Sequence, residues 1–201
     1  MNRSLKVTII IITLSIIAST VFVGCTTKPQ IVNFSEKALT LPNHQNPEIV
    51  FIVPPYVINK IVRNPFNKNI ISLTYVGDTG VPIRNALIEK FKDYNIKTLD
   101  TNTEERIHAP AVVKIWIDEV EAKTKMRYFP WPANTSHVTY YVTVTDINNN
   151  WSEKLKVRAW GTYGGWPEDS AWASYKNASE KLVKEIYKLL IKKGTIKEKK
   201  G

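Results

Sequence analysis

The chain has 201 residues, 43% of them hydrophobic, and a formal net charge of +10 at pH 7. This length suits one domain with a core of its own and is too short to expect two. A single cysteine excludes an intramolecular disulfide and any metal site built on two thiolate ligands.

The first 24 residues have the layout of an export signal. Arg3 and Lys6 precede a run from 7 to 24 that holds no charged residue and is mostly apolar. A basic segment followed by an apolar one is typical of secretory signal peptides. The run is nearly long enough to span a bilayer, so an uncleaved membrane anchor is the alternative interpretation.

The residues that close this run favour cleavage and lipidation. Phe22-Val23-Gly24-Cys25 resembles the bacterial lipobox, in which a small residue precedes a cysteine that is acylated and becomes the new N-terminus. The resemblance implies a lipoprotein signal peptide at 1–24, acyl chains (palmitate among them) on Cys25, and a lipidated tether with an extended lead-in over 25–47. Two or more acyl chains anchor a protein stably, whereas one gives only marginal binding.

Residues 48–99 alternate between β-branched runs and one helical pattern. Strands are predicted at 48–54, 57–62, 69–76 and 96–99. The sequence Asp78-Thr79-Gly80 should form a turn that caps a helix with Pro82 in its first turn and its end at Asn95. Aspartic proteases also use Asp-Thr-Gly, but they need two such carboxylates and this chain has one copy, so a turn and cap is our interpretation.

The second half predicts a long strand, a hairpin and a long helix. The strand covers 111–123 and places Trp116 and Val120 on the face opposite to Ile117. Strands at 138–147 and 151–160 flank three asparagines, which tolerate the positive φ of hairpin turns.

Charges and apolar residues alternate along the second hairpin strand. Lys154, Lys156 and Arg158 alternate with apolar residues, which predicts a basic stripe that faces water. The last helix is expected from about 170 to 193, with apolar residues repeating every three or four positions.

This order of elements predicts a single α+β domain over 48–193. Its mostly antiparallel sheet should carry two helices packed on one face. Residues 194–201 form a basic tail, and a run of like charges usually indicates a solvated, disordered end.

No arrangement in the sequence indicates catalysis or a cofactor. His44, His108 and His137 have no second ligand at metal-binding spacing, and the motifs of serine nucleophiles are missing. We therefore predict no metal site, no cofactor and no enzymatic activity.

Two loops rich in aromatic residues supply the candidate binding surface. The first holds Tyr128, Phe129 and Trp131 among prolines, and the second carries Tyr163 and Trp166 on either side of two glycines. If both loops lie at one end of the sheet, their rings could form an exposed surface for a partner. Burial of the same rings in the core is the alternative.

The order of elements after Cys25 resembles small Gram-negative envelope lipoproteins of the YajG type over about 48–193. It is also similar, more weakly, to the lipopolysaccharide-assembly lipoprotein and to auxiliary lipoproteins of lipid ABC transporters. The resemblance does not carry a function with it, and our interpretation is a non-enzymatic accessory or binding component of the cell envelope, held to the membrane by the lipid on Cys25. Its partner would be an envelope protein, a lipid or a glycan, and not nucleic acid.

Location and the alternative functions follow from the same resemblance. Enterobacterial lipoproteins kept in the inner membrane carry Asp after the acylated cysteine, and this chain has Thr26. We therefore expect an outer-membrane lipoprotein whose domain faces the periplasm. A cell-wall-directed hydrolase and a surface exclusion or binding factor of a mobile element are the alternatives.

Replacing the acylated residue tests the lipidation. Cys25→Ser removes the only thiol, so the precursor should accumulate unprocessed and labelling by a fatty-acid probe should be lost. Labelling and precursor size on a gel provide the measurement, with wild type as the control. A variant that still takes up the probe would contradict acylation at this residue.

Overall fold

A computed structural model of the chain describes residues 30–34, 39, 46–63, 72–100, 107–127, 133–163 and 167–199. Residues 1–24, predicted to be a signal peptide, and Cys25 lie outside these residues, so the predictions made for them stay predictions. No helix in the described ranges is long and apolar enough to cross a membrane.

The described residues form eight strands and two helices. In chain order they are β1 Gln30–Phe34, β2 Ile49–Ile52, β3 Val57–Arg63, β4 Ser72–Asp78, α1 Gly80–Lys90, β5 Ile96–Leu99, β6 Ala111–Arg127, β7 Ala133–Asp146, β8 Trp151–Tyr163 and α2 Pro167–Lys192. The predicted strand and helix types are therefore correct, although α1 ends five residues before Asn95 and β1 lies inside the predicted lead-in.

The central sheet is mixed, which corrects the prediction of a mostly antiparallel sheet. Its order is β5-β2-β6-β7-β8, with β2 parallel to both β5 and β6 and with β6, β7 and β8 antiparallel. The connection from β2 to β5 passes through α1, and a helical crossover returns a strand in the parallel direction. A second sheet of order β1-β4-β3 pairs β1 parallel and β3 antiparallel to β4. The α+β class and the single domain fit the prediction.

Both helices cover the same face of the central sheet. Ile83 and Leu87 of α1 and Leu182 and Ile186 of α2 are fully buried in one cluster with the inner side chains of the sheet. Tyr140 of β7 lies in the middle of this cluster with no exposed surface. Burial of this one face supplies most of the apolar area that stabilises the domain.

A β-bulge in β6 changes which side chains face the core. The pairing of β6 with β7 shifts between Ile117 and Glu119, so Asp118 is an extra residue on β6. Val120 therefore lies in the same core cluster as Ile117. The prediction that Val120 and Ile117 face opposite sides was wrong because strict alternation does not continue through a bulge.

The Asp-Thr-Gly segment is the junction between β4 and α1. One oxygen of Asp78 accepts the backbone N–H groups of Tyr56 at 2.9 Å and Gly80 at 2.8 Å, and the other pairs with Arg84. Arg84 also donates to the backbone carbonyl of Val53 at 2.9 Å. The carboxylate thus holds the end of β2, the end of β4 and the first turn of α1 together.

Steric crowding at this junction favours glycine at position 80. A Cβ built on it would lie 3.0 Å from a guanidinium nitrogen of Arg84 and 3.0 Å from the Asp78 carboxylate. It would also lie 3.3 Å from the backbone oxygen of Pro54, which cannot move aside as a flexible side chain can.

The C-terminal residues pack on the domain, which differs from the solvated end expected from their charge. Ile196 is buried, and the Thr195 hydroxyl donates to Asp146 at 2.6 Å. Lys199 Nζ lies 2.8 Å from the carboxylate of Glu48, and this hydrogen bond lowers the pKa of Glu48. The segment 194–199 is therefore part of the fold.

Removing the carboxylate of Asp78 should destabilise the whole domain. Asp78→Ala leaves Arg84 nearly buried without its partner, and breaking a buried pair on one side costs about 3–5 kcal/mol. Since 20% of the Asp78 side chain is exposed, we expect a loss of about 3 kcal/mol in the free energy of unfolding, measured by chemical denaturation.

The exposed ion pair on α2 provides the control. Glu185→Ala breaks its contact with Lys188, where both side chains are largely exposed, and such pairs are worth about 1 kcal/mol or less. Equal losses from the two variants would contradict a special role for Asp78.

Candidate binding surface

The loops predicted as the binding surface lie mostly outside the described residues. Tyr128, Phe129, Trp131 and Trp166 are not described, and Tyr163 is described only as the last residue of β8. Their attachment points are visible, because Arg127 pairs with Ala133 and Asn134 pairs with Tyr163. Both loops therefore leave the sheet at the same end, and the role of their rings stays a prediction.

The described residues present a second aromatic surface on the sheet. It is the side of β6, β7 and β8 that faces away from both helices, and we call it the outer face. Its members are Lys114, Trp116, Asp118, Glu119, Glu121 and Lys123 of β6, His137, Thr139, Tyr141, Thr143 and Thr145 of β7, and Ser152, Lys154, Lys156, Arg158 and Trp160 of β8.

Charge on the outer face is sorted by strand. The basic stripe predicted on β8 is confirmed, since Lys154, Lys156 and Arg158 are all exposed. Two carboxylates of β6, Glu119 and Glu121, stand on the other side of β7 in the same rows. The middle strand contributes hydroxyl groups to these two rows. The central rows therefore run acid, hydroxyl, base from β6 to β8, while Lys114 and Lys123 lie nearer the ends of the β6 column.

Two tryptophans stand at opposite corners of the outer face. Trp116 is 43% exposed and Trp160 is 55% exposed, which is unusual for the largest apolar side chain. Lys114 Nζ lies 5.4 Å from the ring centroid of Trp116, and the Arg158 guanidinium lies 4.4 Å from that of Trp160. Each ring is thus held by a cation of its own strand, within the range of cation–π attraction.

Hydrogen bonds order the middle of the face. Thr143 donates to Asp118 at 2.7 Å, which gives the bulged residue a partner. Lys156 Nζ lies 4.9 Å from the ring centroid of Tyr141. A hydrogen bond with the Tyr141 hydroxyl is the largest cause of a raised pKa for Lys156, and the negative charge of Glu121 adds to it. Lys156 therefore stays charged at neutral pH.

The exposed edge of β8 is partly covered by α2. Asn177 donates to the backbone carbonyl of Trp160 at 2.8 Å, and Lys181 donates to that of Arg158 at 3.1 Å. An uncovered edge would invite pairing with another strand. These contacts cover part of the edge of β8 and leave the face of the sheet accessible.

Two cavities lined by described residues lie away from the outer face. One open cavity of about 550 Å³ is lined by Asn46, Pro47, Glu48, Ile107, His108, Ala109, Pro110 and Asn148. Another of about 150 Å³ lies between α1 and α2. Within the part of the chain that the structure describes, no group of three His, Cys, Asp or Glu residues could hold a metal ion. The outer face spreads over three adjacent strands, with exposed side chains on β6 and β8 and with Thr139 and His137 buried between them on β7, an extent suited to contact with another extended surface.

Sequence reasoning did not nominate Trp116 and Trp160 as binding residues. A usable signal was present, because Trp160 continues the every-second-residue spacing of the basic stripe and therefore shares its exposed face. Trp116 has the same relation to Lys114. What the sequence could not supply is the pairing that brings the two strands to either side of β7.

No protein-family model and no curated protein sequence matches the chain. Among solved structures it is similar to protein XCC0632 from Xanthomonas campestris, of the DUF330 family, with 11% identity and a TM-score of 0.44 over 82% of this chain and 96% of that one. It is also similar to a minor lipoprotein from Acinetobacter baumannii, with 9% identity and a TM-score of 0.38 over 71% and 91%. Likeness at this level does not establish a shared activity.

The exposed tryptophans should contribute little to stability. Trp116→Ala and Trp160→Ala should each lower the free energy of unfolding by about 1 kcal/mol or less, because surface changes have small effects and the cation–π contact adds about 0.5–1 kcal/mol. Phe91→Ala, at a fully buried ring, is the matched control and should cost about 3–5 kcal/mol. Denaturation curves of the three variants would contradict the surface assignment if either tryptophan cost as much as Phe91.

Proposed function

We propose that the chain is a lipid-anchored, non-enzymatic accessory of the Gram-negative cell envelope that binds a partner through its outer face. The observation that carries the proposal is the pair of exposed tryptophans set among charges sorted by strand. Large exposed rings in an ordered polar setting mark interaction sites, since a monomer gains nothing from leaving them in water.

The anchor is the second part of the proposal. Acyl chains on Cys25, after removal of the signal peptide at 1–24, would attach the domain to the outer membrane with its folded part in the periplasm. Gln30, the first residue of β1, follows Cys25 by five residues, which extend to about 17 Å at most. The small sheet would therefore stand close to the lipid headgroups. We also propose that the domain shares its order of elements with lipoproteins of the YajG type.

Binding accounts for the described polar groups better than catalysis does. The Asp78 carboxylate is engaged by Arg84 and two backbone N–H groups. His137 packs against the ring of Trp160, with the centroids 5.0 Å apart. These groups have structural partners where a reaction would need a nucleophile with a base beside it.

A complementation experiment in the host cell tests both parts. A deletion strain should leak a periplasmic reporter or admit large antibiotics, and the wild-type gene should restore the barrier. Cys25→Ser should fail because the unprocessed precursor is held by its apolar segment and lacks the lipid that places the domain at the outer membrane, and the double variant Trp116→Ala with Trp160→Ala should fail because the contact surface is lost. Lys184→Ala, on an exposed position of α2, is the control and should complement fully.

The protein level must be measured in the same cells. Full complementation by the double tryptophan variant at wild-type abundance would contradict the outer face as the site. Full complementation by Cys25→Ser would contradict the role of the anchor.

A further inference from the structure

Each row across the outer face carries opposite chemistry at its two ends. The strand register gives the rows Trp116–Thr143–Lys154, Glu119–Tyr141–Lys156, Glu121–Thr139–Arg158 and Lys123–His137–Trp160, each read from β6 through β7 to β8. Two rows have an acid facing a base across β7, and the other two have a ring facing a cation.

The acids of these rows have no close partner within the described domain, although the charge of Glu121 acts on Lys156 across β7. Neither Glu119 nor Glu121 forms an ion pair or a side-chain hydrogen bond with any other described residue. The basic residues of the same rows, Lys156 and Arg158, lie two strands away on β8, about 10 Å between backbones. The charges are therefore available to a partner that presents basic groups opposite β6 and acidic groups opposite β8.

A second copy of the same face presents this arrangement. Rotation by 180° about an axis that runs along β7, midway between two stacked faces, keeps each row at its own level and exchanges the two ends. Glu119 then opposes Lys156 of the other copy, and Glu121 opposes Arg158. Lys154 opposes Trp116, and every contact occurs twice, as in an isologous interface.

We propose that the outer face binds the outer face of a second copy of this chain, about a two-fold axis parallel to β7. This inference rests on the proposed function, because it names the partner of the same surface. Sheets that pack face to face lie about 10 Å apart with their strands about 30° from parallel. The match is therefore best at the Glu119 and Glu121 rows, where the two β7 strands would cross, and loosens toward the tryptophan corners.

The membrane anchor is compatible with this symmetry. A two-fold axis leaves corresponding atoms of the two copies at the same height along the axis. Both acylated cysteines then reach one membrane when the axis stands upright on it. Two copies tethered to one surface also meet at a raised effective concentration, which favours an interface of modest area.

Other occupants fit the same charges less well. The face carries both signs, so an anionic membrane would match only its basic side and would leave Glu119 and Glu121 without an oppositely charged partner. The rows of Trp116 and Trp160 lie about 20 Å apart along β7, since six residue steps lead from His137 to Thr143, so one small molecule cannot contact both rings. An extended glycan is the remaining alternative and is one of the outcomes below.

Cross-linking of the full lipidated chain in membranes provides the first test. Thr143 lies on β7 near the axis, so the Thr143→Cys variant should cross-link to itself with a short bismaleimide and give a dimer band. Acylation occupies the thiol of Cys25, which leaves the thiol introduced by Thr143→Cys as the reactive one. The Lys184→Cys variant, at an exposed position of α2, is the control. Its dimer band should have about one tenth of the intensity or below, as expected when a specific contact raises association about tenfold or more.

Charge reversal in the Thr143→Cys background provides the second test. Glu121→Lys puts two cations together in the dimer and Arg158→Glu puts two acids together, so each alone should weaken the dimer band by about tenfold or more. Differently tagged copies of these two variants, expressed in one cell, should cross-link to each other, because each supplies the charge that the other lacks. The double variant Glu121→Lys with Arg158→Glu should cross-link to itself again.

The mixed pair separates an interface from an ion pair inside one chain, since only an interface restores contact between two different single variants. Melting curves must show that the variants are folded, and Glu121→Gln with Arg158→Gln replaces them if they are not. A Thr143→Cys band no stronger than the Lys184→Cys band, or no recovery in the mixed pair, would overturn the proposal. Quenching of Trp160 fluorescence by soluble peptidoglycan glycan strands without self-cross-linking would also overturn it, while leaving the outer face as a binding surface.

Discussion

The carboxylate of Asp78 is the constraint on which the arrangement of the domain depends. It joins the end of β2, the end of β4 and the first turn of α1 through Arg84 and two backbone N–H groups. The adjacent Thr79 carbonyl accepts from Tyr140 at 3.3 Å, so the same junction reaches the middle of the central sheet. Because burial of an unpaired charge is costly, this junction admits one relative position of β2, β4 and α1. The same contacts position the small sheet, because its strand β4 ends at Asp78.

The bulge at Asp118 decides what the outer face displays. With strict alternation, Val120 would lie in water and the acids of β6 would be divided between the two faces. The extra residue returns Val120 to the core and leaves Glu119 and Glu121 exposed in the rows of Lys156 and Arg158. One inserted residue thus stabilises the inner face and sorts the charges of the outer face.

In the proposed function, binding and stability belong to opposite sides of the same three strands. The inner side is apolar and fully covered by the helices, with Tyr140 as its largest buried ring. The outer side holds Trp116 and Trp160, whose exposed area contributes little to folding and is available to a partner. This division explains why changes on the outer face should alter association while leaving the domain folded. It also explains why the extended face suits a protein surface better than a small ligand.

Local patterns in the sequence determined the elements and the basic stripe of β8, because each depends on neighbouring residues or a fixed period, and the predictions of an export signal and of lipidation at Cys25 rest on local patterns of the same kind. The Asp-Thr-Gly segment forms a turn, as predicted, for the same reason. Strand pairing was decided only by the tertiary structure: the parallel neighbours of β2, the pairing of β1 with β4 and the bulge in β6 join residues far apart in the chain. The outer face with Trp116 and Trp160 at its corners exists only once β6, β7 and β8 are in register. The contact of Lys199 with Glu48 was also decided only by the tertiary structure, since a run of charged residues does not specify which residue it will contact.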